Sequence, residues 1–224
     1  MKLSIIVQVL NEASALPALL ARLLPLQQRG CELLVVDSGS TDGSAGLAAS
    51  AGVTLIRSLR GRARQMNAGA VQATGDALLF LHADTRLPEE AVALVSEALA
   101  GRAHCWGRFD VCIAGRPAML RVIGHMMNLR SRWTGIATGD QAMFVRRAVF
   151  ESVGGFPDQP LMEDIELSER LRHVSPPACI SQCVITSGRR WETHGVWRTM
   201  VLMWRLRWQY WRGVPAEKLA KAYR

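Results

Sequence analysis

A histidine and an aspartate stand two positions apart directly after an apolar run. His82 and Asp84 follow residues 76–81, whose composition predicts a strand buried on both faces. A divalent ion that bridges phosphates needs only one or two protein carboxylates, and Asp84 could supply one. An imidazole ligand at His82 would favour Mn²⁺ over Mg²⁺. The same pair also suits a turn, with His82 packed or orienting Asp84 and with no metal bound.

A second pair of acids lies in the segment "LMEDIELSERL". Glu163 and Asp164 are predicted to begin a helix. One interpretation is a general base that takes a proton from a hydroxyl, which typically contributes about 10²–10⁴-fold to a rate. The alternative is that the acids only complement the positive end of the helix dipole.

Polar residues also follow the first two predicted strands. Asn11 and Glu12 end the first apolar run, and Asp37 opens the loop "DSGSTDGS". The loop is either an ordinary helix-capping turn or a nucleotide site in which Asp37 accepts a hydrogen bond from a base or ribose. Neither GxxxxGK[ST] nor GxGxxG is present, which disfavours a P-loop or a dinucleotide fold.

Two basic clusters could bind an anion. Arg60, Arg62 and Arg64 precede or begin a predicted helix that carries Asn67, and guanidinium groups there suit a pyrophosphate. Arg189 and Arg190, in "TSGRRWETHG", could close over a charged leaving group. A solvated basic loop or linker explains either cluster equally well.

The elements that must position these residues alternate between strand and helix. Strands are predicted over 3–10, 32–37, 53–58 and 76–84, and helices over 12–26, 44–52, 63–74 and 88–101. This order predicts right-handed crossovers and a parallel sheet, with ligands bound outside the carboxyl ends of the strands. Beyond residue 101 we predict an edge strand over 104–113, helices over 115–136 and 161–174, and a strand over 142–145.

Composition limits the partners. The chain has 224 residues, a net charge of +8 and a pI of about 9.9. Phosphates, nucleic acid or an anionic membrane surface would complement that charge. No apolar run reaches the roughly 18 residues of a membrane span, so we expect a cytoplasmic protein, peripheral at the membrane at most.

The segment 196–212 interleaves tryptophan with arginine. Such a helix suits an anionic membrane surface, because tryptophan prefers the headgroup level and arginine can extend to it. The alternative is a helix packed onto its own domain or onto a partner in a homo-oligomer. No nucleic-acid-binding motif accompanies it, so nucleic acid is not expected as a partner.

Together these motifs resemble family 2 glycosyltransferases, which have the GT-A fold. "SIIVQVLNE", "VVDSGSTDGS", "GRARQMNAGA", "LLFLHADT" and "LMEDIELSERL" follow the order of that family's motifs. "FLHADTRLP", "GDQAMFVRR" and "TSGRRWETHG" further resemble a bacterial subfamily labelled as arsenosugar-biosynthesis-type glycosyltransferases. Ser38 and His82 stand where the family's motifs have acids.

The resemblance implies inverting transfer of a sugar, with UDP as the expected nucleotide, to an unknown acceptor hydroxyl. Asp164, with Glu163 beside it, would be the base, and Asp84 with His82 would bind Mn²⁺ or Mg²⁺. The residues implied for the nucleotide-diphosphate sugar are Asn11, Glu12, Asp37, Arg64, Asn67, Asp140, Gln141, Arg189 and Arg190.

The same resemblance implies a domain plan and two competing functions. Residues 1–190 would form the GT-A domain, with a nucleotide-binding half (1–100) and an acceptor half (101–190), and 191–224 would be a helical extension. A sugar nucleotidyltransferase would carry a Gly-rich loop where this chain has "LNEASAL". The other alternative is a non-catalytic membrane- or nucleic-acid-binding protein on a degenerate GT-A fold.

Overall fold

The computed structural model describes residues 1–223 and shows an α/β protein built on a seven-stranded, mostly parallel sheet. The order of the strands is β3-β2-β1-β4-β6-β5-β7. They are β1 (Leu3–Val9), β2 (Glu32–Asp37), β3 (Thr54–Arg57), β4 (Ala77–His82), β5 (Trp106–Ala114), β6 (Phe144–Arg146) and β7 (Ala178–Ser187).

Ten α-helices are described within residues 1–223, and a 3-10 turn covers Gly139–Gln141. The helices are α1 (Leu16–Gln28), α2 (Ser44–Ser50), α3 (Arg62–Gln72), α4 (Ala91–Ala100), α5 (Met119–Thr134), α6 (Arg147–Ser152), α7 (Glu163–Arg172), α8 (Arg189–His194), α9 (Val196–Trp211) and α10 (Ala216–Tyr223).

The four predicted N-terminal strands are confirmed as four adjacent parallel strands of the sheet. β1 lies between β2 and β4, and its apolar side chains are buried because helices cover both faces. The first helix begins at Leu16 rather than at residue 12. The carbonyl of Glu12 accepts the N–H groups of Ala15 and Leu16, so residues 12–15 form a turn before the helix.

One glycine allows α3 to approach the sheet closely. A Cβ at Gly69 would lie 2.5 Å from Ile6 Cγ2 and 3.0 Å from Val36 Cγ2. Any side chain at this position would push the helix away from β1 and β2. The Gln65 amide on the same helix donates to the carbonyls of Val9 and Val36, and it fixes the helix at the carboxyl ends of those strands.

The predicted edge position of residues 104–113 is wrong. β5 lies inside the sheet, antiparallel to β6 and parallel to β7. Strand β7 was not predicted, because its side chains alternate irregularly between buried and exposed. The register between β5 and β7 also shifts between Phe109 and Asp110, as expected for a bulge.

The C-terminal helices pack onto the domain. Leu206 of α9 and Leu219 of α10 are buried against Leu161 and Met162. The predicted domain boundary at residue 190 falls inside α8, and Arg224 lies outside the described residues. Within residues 1–223, no helix is both long and apolar enough to cross a bilayer.

Candidate active site

A cavity of about 630 Å³ lies at the carboxyl ends of β1 and β4. Strand pairing places Gln8 beside His82 and Val9 beside Asp37, which brings the ends of three strands to one edge. Helices α5, α7, α8 and α9 complete the wall. Its titratable side chains are Glu12, Arg62, His82, Asp84, Arg130, Asp140, Glu163, Asp164, Arg189, Arg190 and Arg207.

Glu163 and Asp164 begin α7 inside this cavity, as the sequence predicts. Asp164 accepts hydrogen bonds from the backbone N–H groups of Gly139 and Ile165, both at 2.8 Å, and these bonds fix its orientation. Burial raises the pKa of Asp164, and the two N–H groups oppose that rise. Burial also raises the pKa of Glu163 to about 7, and the charge of Asp164 adds to it. The two carboxyl groups therefore titrate as a pair.

His82 lies against the 3-10 turn that follows α5. A Cβ on Gly139 would be 2.6 Å from His82 Nε2, so the imidazole fills the space that a side chain would need. His82 Nδ1 is 3.6 Å from Asp140 Oδ1. Burial lowers the pKa of His82 to about 4, and Arg62 adds to the decrease, so the ring is neutral at neutral pH. One nitrogen thus faces Gly139 while the other faces a cavity carboxylate.

Asp84 is half-buried and points into the cavity. Its one recorded side-chain partner within residues 1–223 is the Thr85 hydroxyl, at 3.5 Å. No group of three His, Cys, Asp or Glu side chains in the described chain is arranged to enclose a metal ion. A carboxylate with so few partners fits Mg²⁺ or Mn²⁺ held mainly by phosphate and water.

Backbone strain is concentrated around the cavity. The residues other than glycine that have positive φ within 1–223 are Asn11, Ala142 and Met162. Asn11 follows β1, Ala142 follows the turn that carries Asp140, and Met162 directly precedes Glu163. Such conformations cost about 1–3 kcal/mol each and persist where the surrounding structure imposes them, often at functional sites.

Two further arginines contribute to the wall: Arg62, which belongs to the basic cluster predicted to suit a pyrophosphate, and Arg130, which no sequence motif indicated. Arg62 lines the cavity at the start of α3. Arg130 comes from α5, and its Nε and Nη2 atoms are buried without a hydrogen-bond partner in the described part of the chain. Burial lowers the pKa of Arg130, Asp164 opposes that effect, and Arg108 adds to it. In the sequence, Arg130 could have been found as a charged residue on the same helix face as Ser131, which is buried, and Met127, which is half-buried.

The loops after β1 and β2 are joined by hydrogen bonds. Asn11 Oδ1 accepts from the Thr41 N–H at 2.9 Å, and the Asn11 N–H donates to Ser40 Oγ at 2.9 Å. Asp37 is buried and accepts from the N–H groups of Gly39 and Ser40. Asn11 and Asp37 thus lie close together beside the cavity, and Glu12 lines it.

The structure does not bring all predicted donor residues into the cavity. Arg64 forms a two-point ion pair with Asp158, at 2.7 and 3.0 Å, and Asn67 bonds the backbone of Phe156 in both directions. Both therefore tie α3 to the loop before α7. Gln141 is fully buried and bonds within its own turn.

Arg189 and Arg190 line the cavity but already have partners. Arg189 pairs with Glu12 at 3.1 Å. Arg190 donates to the Tyr223 carbonyl at 2.6 Å, and its guanidinium lies 3.7 Å from the centre of the Tyr223 ring. Asp140, one of the predicted donor-binding residues, lies in the cavity beside His82.

Solved structures of similar fold include sugar transferases. The chain superposes on Staphylococcus aureus TarS 1-349 in complex with UDP-GlcNAc with a TM-score of 0.66 and 19% identity, over 84% of this chain and 58% of that one. It superposes on the mannosyltransferase PcManGT of Pyrobaculum calidifontis, in complex with GDP-Man and Mn²⁺, with a TM-score of 0.64 and 22% identity, over 82% and 56%. These likenesses confirm the GT-A fold.

Curated relatives are named as glycosyltransferases. The probable glycosyltransferase YdaM of Bacillus subtilis is 28% identical over 69% of this chain and 38% of its own length. The undecaprenyl-phosphate 4-deoxy-4-formamido-L-arabinose transferase of Yersinia enterocolitica is 33% identical over 65% of this chain and 48% of its own. The matched region thus spans less than half of either relative. The model of glycosyl transferase family 2 matches residues 4–154, and the chain belongs to that family.

Proposed function

We propose that the protein is an inverting glycosyltransferase that moves a sugar from a nucleotide-diphosphate sugar to an acceptor hydroxyl. One observation carries the proposal. A single cavity holds a carboxylate fixed by two backbone N–H groups, Asp164, together with a carboxylate that has few partners, Asp84, and several arginines. A base, a phosphate-binding region and cationic groups are what displacement of a diphosphate requires.

In the proposed step, the acceptor oxygen attacks the anomeric carbon from the face opposite the diphosphate. The bond between that carbon and the phosphate oxygen breaks, and the nucleoside diphosphate leaves with the electron pair. Asp164 takes the acceptor's proton. Because burial raises the pKa of Asp164 and of its neighbour Glu163, the pair is a stronger base than an exposed carboxylate would be.

Cationic side chains would balance the charge that develops on the leaving group. Arg62, Arg130 and Arg189 are the candidates, because each lines the cavity. Arg130 is the best placed electrostatically, since two of its nitrogen atoms have no hydrogen-bond partner within residues 1–223. Asp84, with His82 as a second ligand or as its orienting neighbour, would hold Mn²⁺ or Mg²⁺. When bound, such an ion supplies Lewis-acid stabilisation of the diphosphate.

UDP is the nucleotide that we propose, with Asp37, Asn11 and Glu12 on the nucleoside side. TarS was solved with UDP-GlcNAc, while PcManGT was solved with GDP-Man and Mn²⁺, so both nucleotides occur among proteins of this fold.

Membership of the arsenosugar-biosynthesis-type subfamily also stays a prediction. We further propose 1–190 as the catalytic domain and 191–224 as an extension that completes the cavity wall.

The first test is ligand-dependent thermal stabilisation. The full chain would be melted with UDP-, GDP- and dTDP-sugars, each with and without Mn²⁺. We expect Tm to rise most with a UDP-sugar and Mn²⁺ together, because ligand that binds only the folded state stabilises it by mass action. A larger rise with a GDP-sugar would overturn the UDP assignment. No rise with any sugar nucleotide, together with binding to nucleic acid, would favour the non-catalytic alternative.

A further inference from the structure

Helix α9 presents a row of large apolar side chains to solvent. The exposed residues follow one another at steps of four and three positions, which brings side chains back to the same face of a helix. Trp197 is 64% exposed and Trp211 is 80% exposed, while Leu206 on the opposite face is fully buried. The members of this row are Trp197, Val201, Trp204, Trp208 and Trp211.

Helix α5 carries a second row with the same spacing. Its exposed members are Val122, Met126, Leu129 and Trp133, and Trp133 is 80% exposed. The opposite face, with Leu120 and Ile123, is buried. We call the two rows together the α5/α9 face. Exposed apolar patches of this kind mark interaction sites on soluble domains.

Both helices border the same cavity. Met127 and Arg130 of α5 line it, and so do Met203 and Arg207 of α9. Trp204 belongs both to the cavity lining and to the exposed row. The exposed row of α9 therefore adjoins the cavity, and α5 borders the same cavity through residues next to its exposed row.

The charges on these helices are of one sign. Neither α5 nor α9 contains aspartate or glutamate. Six arginines lie on them, namely Arg121, Arg130, Arg132, Arg198, Arg205 and Arg207, and Arg212 directly follows α9. A second copy of the chain docked through this face would oppose two arginine-rich surfaces, which disfavours self-association.

We propose that the α5/α9 face docks onto an anionic lipid bilayer. Tryptophan at the headgroup level, arginine beside it and an apolar stripe are the features of helices that lie in the plane of a membrane interface. Lipid phosphates would complement the arginines, and the apolar rows would enter the acyl boundary. This docking goes beyond sugar transfer and does not depend on it.

The experiment is flotation of the full chain with vesicles of phosphatidylcholine, with and without phosphatidylglycerol. We expect binding that needs phosphatidylglycerol and weakens as salt is raised, because salt screens the attraction. Replacing Trp197, Trp208 and Trp211 by serine should lower the partition coefficient at least about tenfold. Val122→Ser with Met126→Ser should lower it by a smaller factor.

Matched controls separate this face from general surface properties. Leu59→Ser with Val71→Ser removes exposed apolar side chains elsewhere and should leave vesicle binding unchanged. Arg198, Arg205 and Arg212 changed to glutamine should weaken binding to anionic vesicles, whereas Arg22→Gln with Arg29→Gln should weaken it less. The charge variants retain the tryptophans, so they remain informative if the triple serine variant does not fold.

Several outcomes would overturn the proposal. The first is that the wild-type chain does not bind anionic vesicles at low salt. Equal loss of binding in the Leu59/Val71 control and in the tryptophan variant is another. Light scattering that shows a dimer disrupted by the tryptophan substitutions, without vesicle binding, would assign the face to a second copy. Tryptophan fluorescence that shifts to shorter wavelength with anionic vesicles would support docking.

Discussion

The two halves of the sheet build their sides of the cavity in different ways. β1 to β4 are parallel neighbours with helical crossovers, and their polar residues follow the strand ends directly. β5 to β7 contain an antiparallel pair and a register shift, and the polar residues there come from α5, α7 and α8. In the first half local sequence order fixes the site, whereas in the second half contacts between distant segments fix it.

The second half of the sheet depends on a network of buried polar side chains. Arg108 is fully buried, pairs with Asp110 and donates to the carbonyl of Asn128 at 3.2 Å. Arg132 also donates to Asp110, at 2.6 Å, and the Asn128 side chain bonds both backbone groups of Val111. This network holds α5 on β5. At the cavity wall, Nε and Nη2 of the neighbouring Arg130 have no hydrogen-bond partner among the described residues.

The strongest test of this contrast concerns the proposed base, Asp164, which belongs to the second half. Asp164→Asn keeps an oxygen that can accept from Gly139 or Ile165 but removes the group that takes the proton. We expect kcat to fall about 10²–10⁴-fold. Glu169→Gln, on the exposed part of the same helix, should leave kcat unchanged in the same sugar-transfer assay. Near-wild-type turnover in Asp164→Asn would refute the assignment.

Glu163 provides a test through stability. Its folded-state pKa of about 7 is above the ordinary 4.5, so stability that is present below pH 4.5 is lost as pH rises to about 7. Glu163→Gln should remove that loss. The free energy of unfolding of the variant minus that of wild type should therefore be up to about 3 kcal/mol larger near pH 8 than below pH 4.5. Urea denaturation of both proteins at the two pH values measures this. Parallel pH dependences would contradict it.

The first half is tested at Asp84. Asp84→Asn should lower kcat/KM on the order of 10²-fold and remove stimulation by Mn²⁺, because a metal contributes several kcal/mol to charge stabilisation. Asp76→Asn, at the other end of the same strand, is the control for loss of a carboxylate. Activity that is indifferent to EDTA in the wild type would refute metal use. Under the ligand hypothesis, His82→Asp should retain metal-dependent activity with altered metal preference.

The smallest expected effect is a difference between two arginines of α5, Arg130 and Arg132. Arg130→Met should lower kcat/KM about tenfold while stability stays equal or rises, because a buried guanidinium without partners costs free energy. Arg132→Met should instead lower stability, since it breaks the pair with Asp110. Thermal melts and steady-state kinetics on both variants measure the change in stability and the change in kcat/KM. A large loss of stability in Arg130→Met would show that the residue is structural.

Much of the first half follows from the sequence. Continuous apolar runs predict buried parallel strands, and parallel strands carry their following residues to one edge, so the proximity of Asn11, Asp37 and Asp84 to one site was predictable. Which side chains face the cavity was not predictable. Arg62 and Arg64 are two residues apart on one helix and therefore point to nearly opposite sides of it. Arg62 lines the cavity, whereas Arg64 pairs with Asp158.

The sequence by itself determined the fold class, the edge of the sheet that carries the site, and the two acids that begin α7. Tertiary structure alone decided that β5 is interior, that Asn67 and Gln141 serve packing, and that Arg130 reaches the cavity without a partner. The physical reason is the distance along the chain over which each effect acts. Apolar periodicity and residues after strand ends act over a few positions, whereas β5–β7 pairing and the α5 network depend on contacts between segments far apart in the chain.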